Sequence, residues 1–139
     1  MSKPLGSWEA LIAWVRLTFG EPQDFGEGEL LHFVIDGEGI GMMRFISVTS
    51  TQWVSLGVKL GKDTDVPAVT ALHASFDLPI GGLAVAHSYL FLLQKLPLPL
   101  LTEALVEETL RGLVKQGRAI RSAIQRDSDV PNVFGHFTE

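Results

Sequence analysis

The chain has 139 residues and a net charge of −5, with 46% apolar and 19% charged residues, where an average domain is about a quarter charged. That length suits a single domain, residues 1–139, removing roughly 68% of its unfolded surface from water, and the apolar excess implies either a sheet covered on both faces or a surface kept for a partner. There is no cysteine, so disulfides, thiolate catalysis and cysteine metal sites are excluded, and the acidic balance disfavours direct nucleic-acid binding.

Ser7 is placed to cap a first helix whose Trp8, Leu11, Ile12, Val15 and Phe19 share one face. Trp14 widens that face, and Gly20 and Pro22 close the helix. Residues 21–29 are acidic and contain glycine, and read as a loop. Residues 30–35 are apolar and β-branched, and Asp36-Gly37-Glu38-Gly39 after them is a hairpin signal. Residues 40–48 run back, and Thr49-Ser50-Thr51 turns the chain again. Residues 53–60 alternate: Val54, Leu56, Val58 and Leu60 face one way, Trp53, Ser55, Gly57 and Lys59 the other. The first set is predicted to be core and the second at least partly open. Trp53 is then either covered by a helix or available to a ligand.

Residues 61–65 break the alternation. Asp65 caps a short second helix, Pro67 fits its first turn, and Val66, Val69, Leu72, His73 and Phe76 face inward. Residues 83–96 are extended but carry no Gly, Pro or Asn turn in their middle. One long strand and two short strands hinged near His87 are both compatible with them. Thr102 caps the last helix, with Leu101 and Val106 placed as a hydrophobic staple. Val106, Leu110, Leu113, Gly117, Ile120 and Ile124 follow at alternating spacings of four and three, which makes one face apolar along a helix of roughly 24 residues. A tail, residues 127–139, offers Phe134 and Phe137 as anchors.

Charge is unevenly spread. Residues 1–40 hold Glu9, Glu21, Asp24, Glu27, Glu29, Asp36 and Glu38 against Lys3 and Arg16. The last helix opens with Glu103, Glu107 and Glu108 and continues with Arg111, Lys115, Arg118, Arg121 and Arg126, an order that suits the helix macrodipole. The same cations could steer an acidic partner.

No constellation for chemistry emerges. Gly57 to Asp63 falls one residue short of a phosphate-binding loop and puts a carboxylate where a metal-binding hydroxyl is needed. Gly37-x-Gly39-x-Gly41 lies between strands rather than before a helix. Asp63 and Asp65 supply too few oxygens for calcium. His32, His73, His87 and His136 form no zinc pattern. The expectation is no catalytic residue, no metal and no cofactor. The N-terminus lacks a signal-peptide pattern, and the longest apolar run, residues 89–93, is too short to cross a bilayer, so a soluble cytoplasmic protein without membrane attachment is expected.

In element order, and in Leu96-Pro97-Leu98-Pro99-Leu100 leading into Leu101-Thr102-Glu103-Ala104-Leu105, the chain resembles the YbjN family and its structural relatives, the bacterial type III secretion chaperones. The fold expected is α+β: an antiparallel four- to five-stranded sheet flanked by three helices in the order α-β-β-β-α-β(-β)-α, with the first and last helices on one face. The resemblance implies a homodimer that holds or regulates another protein by binding an extended segment, without chemistry, and it supplies no defined binding residues. From the residues themselves, Trp53, Arg111, Lys115 and Arg118 are the candidate partner contacts. Val66, Val69, His73 and Phe76 are the candidate dimer contacts, together with the sheet face around Trp53. The alternative is a small-ligand sensor with Met42, Met43, Phe45 and Trp53 lining a pocket.

Overall fold

The computed structural model of the protein describes residues 3–24, 30–35, 39–48, 50–62, 64, 71, 82–86 and 88–129, with side chains other than Ala86 described as far as residue 123. Helix α1 (Trp8–Phe19) begins at Ser7, whose Oγ accepts from the Ala10 N–H at 3.1 Å, and ends where the Gly20 N–H donates to the Arg16 carbonyl. Arg16 also pairs with Glu21 just beyond the helix end. The hydrogen bond with Glu21, and then its charge, holds the Arg16 guanidinium above its ordinary pKa.

The strands β1 (Gln23–Asp24), β2 (Leu30–Val34), β3 (Ile40–Val48), β4 (Thr51–Lys62), β5 (Gly82–Ala86) and β6 (Tyr89–Pro97) form one sheet in the order β1-β2-β3-β4-β6-β5. Every pairing is antiparallel. A 3₁₀ turn (Leu98–Leu100) leads from β6 into helix α2 (Glu103–Asp129). There the Thr102 Oγ accepts from the Leu105 N–H at 3.1 Å, the expected cap. Backbone bonds from the Leu5 N–H to the Leu101 carbonyl and from the Glu103 N–H to the Lys3 carbonyl tie the N-terminal segment to the start of α2.

The α+β class and the antiparallel sheet agree with expectation; the counts do not. Among the described residues the sheet has six strands rather than four or five. One extra strand is β1, inside the stretch read as a loop. Its two exposed residues pair with His32 and Leu31, and such a short, exposed edge has no apolar alternation to reveal it. Of the two readings left open for residues 83–96, the structure has two strands. Their connection passes through Ser88 at φ 68°, so a non-glycine residue takes the left-handed conformation that a turn signal would have supplied. Among the described residues there are two α-helices. The short helix expected at 66–76 lies outside them except for Ala71, which is helical and buried. The last helix reaches Asp129, three residues into the expected tail, and the remaining tail residues, Phe134 and Phe137 among them, lie outside the described residues.

Both helices lie on one face of the sheet. Leu11 and Val15 of α1 and Val106, Leu110, Leu113 and Ile120 of α2 join Phe33, Met43, Val54, Leu56, Leu60 and Leu92 in the main core cluster. α1 rests on β2 and β3: Phe19 stacks on Phe33 with ring centroids 5.5 Å apart, and Trp8 meets Phe45 at 5.8 Å. α2 crosses β4 and β6, and Gly117 brings it in close. A Cβ there would stand 3.1 Å from Leu60 Cδ2 and 3.3 Å from Val58 Cγ2. Burial of these aliphatic side chains, each worth about 1.5–3 kcal/mol when fully removed from water, holds the two layers together.

Candidate protein-binding surface

The second face of the sheet is defined by the alternate residues of the same strands. Register aligns them in rows across it. Met42, Gly57 and Leu93 form one row; Arg44, Ser55 and Lys95 the next; Ile46, Trp53 and Pro97 the last full one. This face was expected to be at least partly open, and its centre is not. Leu30, Met42 and Phe91 form a second buried cluster with Tyr89 and Leu93 against it, and Ser55 and His32 are buried as well. The His32 ring meets Phe91 edge-on at 6.0 Å. Gly57 is what lets this cluster close, since a Cβ there would stand 2.3 Å from Leu93 Cδ2 and 3.0 Å from the Met42 sulfur.

Past Ser55 the face opens. Trp53, Ile46 and Pro97 are half-buried, and Arg44, Lys95 and Val48 are exposed, Val48 to 55%. An apolar shelf centred on an indole thus runs across three strands, with two cations in the neighbouring row. Neither described helix covers Trp53, because both pack on the other face. At the opposite end of this face Lys59 and Lys62 approach Tyr89: Lys59 Nζ stands 3.9 Å from its ring centroid, and Lys62 pairs with it in register.

The sequence-derived candidates separate. Arg111, Lys115 and Arg118 are exposed on the outer surface of α2, and Arg111 Nε donates to Glu107 at 3.1 Å one turn earlier. They stand on the helix side of the sheet, away from Trp53, so the four residues do not form one surface. Arg44 and Lys95 are the cations beside the indole. Periodicity carried the signal for them, since each is two residues from a shelf member on its own strand, but only register joins the strands. Val66, Val69, His73 and Phe76 lie outside the described residues. The four residues expected to line one pocket also separate: Met43 and Phe45 point towards the helices, Met42 and Trp53 to the second face.

At the sheet edge the ladder between β5 and β6 ends at Gly82, opposite Leu93. A cleft of about 350 Å³ lies at this step, lined by Gly82, Leu83, Ala84, Leu93, Gln94 and Lys95. Among the described residues no group of three or more His, Asp or Glu is placed to hold a metal ion, and no helix is long and apolar enough to cross a membrane.

No protein-family model and no curated protein matches the chain. Among solved structures it is similar to a chain of the complex titled "Structure of the HopA1-SchA Chaperone-Effector Complex", with a TM-score of 0.56 and 17% identity, over 81% of this chain and 90% of that one. At that identity the likeness is one of fold.

Proposed function

We propose that this protein is a non-catalytic, chaperone-like or regulatory adaptor that holds an extended segment of a partner protein on the second face of its sheet. The observation that carries this reading is the shelf of Trp53, Ile46 and Pro97, an apolar surface across three strands on the face opposite both described helices. Aromatic side chains at the centre of such surfaces supply much of the binding energy once buried. A fold shared with a chain of a chaperone–effector complex supports the reading, as does the resemblance to the YbjN family and the type III secretion chaperones. A bacterial cytoplasmic homodimer belongs to the same proposal.

The test is capture of a partner by the tagged protein, followed by the same capture with Trp53→Ala. Loss of the partner from a variant that still folds supports the shelf; undiminished capture removes it. Light scattering at high micromolar concentration tests the dimer, and a monomer there excludes it.

A second reading, a small-ligand sensor, is favoured by the cleft beside β5, whose volume lies at the lower end of the range for ligand pockets. Melting temperature that rises with the concentration of one metabolite supports it. Unchanged melting across a metabolite screen, together with a captured protein, favours the adaptor.

A further inference from the structure

We infer that the Trp53 shelf is selective for the chemistry of its occupant: an extended peptide segment carrying an apolar side chain two residues from a carboxylate. The inference rests on the adaptor reading and names what the adaptor would hold.

Charge comes first. The charged residues on this face of the described strands are Arg44, Lys59, Lys62 and Lys95, and none is acidic, although the chain as a whole carries −5. The described acids of the strand layer do not intrude: Asp24 pairs with Leu31, which faces the helices. Arg44 and Lys95 are exposed and make no ion pair among the described residues. A local field of one sign within a chain of the opposite sign selects a partner by complementarity.

Register supplies the spacing. Arg44 and Lys95 both align with Ser55, so they flank β4 with about 10 Å between their Cα atoms, two strand separations. Trp53 lies on the same face two residues further along β4, about 7 Å away. An extended segment lying along β4 sends alternate side chains down onto this face. One that meets the indole therefore has its neighbour at the second position, on the same side, between the two cations. An apolar group over Trp53, Ile46 and Pro97 with a carboxylate in the next row satisfies both. The Ser55 hydroxyl, buried between the cations with no hydrogen-bond partner among the described residues, adds polarity to that row. A nucleic-acid strand is the weaker fit: the shelf offers one indole among aliphatic neighbours rather than a series of stacking rings.

The test measures fluorescence anisotropy of labelled peptides with the full chain at low salt. A peptide of Leu-Ser-Glu-Ser repeats places leucine and glutamate on one side of an extended chain. Its isomer, Leu-Glu-Ser-Ser repeats, has the same composition with the two on opposite sides. The inference expects the first to bind about tenfold more tightly than the isomer and than Leu-Ser-Lys-Ser repeats. Arg44→Gln with Lys95→Gln reduces that preference, and Arg44→Glu with Lys95→Glu turns it towards the lysine peptide. Arg111→Gln with Lys115→Gln leaves it unchanged. Circular dichroism confirms that each variant is folded.

Equal binding of the two isomers or of the lysine peptide overturns the inference, as does loss of binding in the α2 variant alone. Failure of the Leu-Ser-Glu-Ser peptide to bind, or Trp53-dependent binding of an oligothymidine of similar length at least as tight, also overturns it. The adaptor reading fails separately, when partner capture is indifferent to Trp53→Ala.

Discussion

The two faces of the sheet are made by alternate residues of the same strands, yet they differ in kind. The helix-side face is apolar from β2 to β6 and closed by two amphipathic helices. The second face has a small buried cluster at its centre, built on Leu30, Met42 and Phe91, and an open, cation-flanked shelf at one end. Alternation sorts residues between faces, but what lies over a face decides whether it is core. A half-buried tryptophan beside an exposed valine and a row holding two cations marks where covering stops and recognition can begin.

Large-to-small substitutions test that contrast most strongly. Leu56 is fully buried on the helix side and Phe91 is 2% exposed on the other. Leu56→Ala and Phe91→Ala are each expected to cost about 3 kcal/mol in urea unfolding. A cost for Phe91→Ala under about 1 kcal/mol would show the second cluster to be loosely covered.

The glycines sharpen the same comparison. Gly57→Ala forces a methyl against Leu93 and the Leu92 carbonyl and is expected to lose about 2 kcal/mol. Gly117→Ala meets only the ends of Leu60 and Val58 and gains about 1 kcal/mol of helix propensity, so its net effect on the denaturation midpoint is near zero.

At the β5–β6 turn, Ser88→Gly removes the cost of a left-handed serine and is expected to raise stability by about 1 kcal/mol. Unchanged or reduced stability would mean that serine fits the turn without strain. The smallest effect belongs to the helix surface: Arg111→Ala removes an exposed i,i+4 pair with Glu107 and should change stability by less than about 0.5 kcal/mol, fading as salt is added.

Much of the architecture was readable in advance because it is local. Ser7 and Thr102 declare their helices through side chains that satisfy their own next turn. The stripe from Val106 to Ile120 declares its buried face by spacing alone, and all five of its members are buried. What stayed unread was also local in origin. β1 is too short to show a period, and the choice between one strand and two in residues 83–96 stayed open because the turn at Ser88 uses a residue without turn chemistry. The candidate site was legible in one residue only. Trp53 stood out as the large apolar group on the opener side of an alternating strand, whereas the α2 cations drew notice as a row and proved to lie on the other side of the molecule.

What the sequence determined by itself is therefore the set of amphipathic elements: which residues of each strand and helix turn together, and where the capped ends fall. These depend on the 2.0 and 3.6 periods and on hydrogen bonds spanning three or four residues. Tertiary structure alone decided which rows meet across strands, and so placed Arg44 and Lys95 on either side of Ser55 and next to Trp53 while leaving Arg111, Lys115 and Arg118 behind the helix layer. Register between strands far apart in the chain is set by packing of whole faces, and no local pattern carries that information.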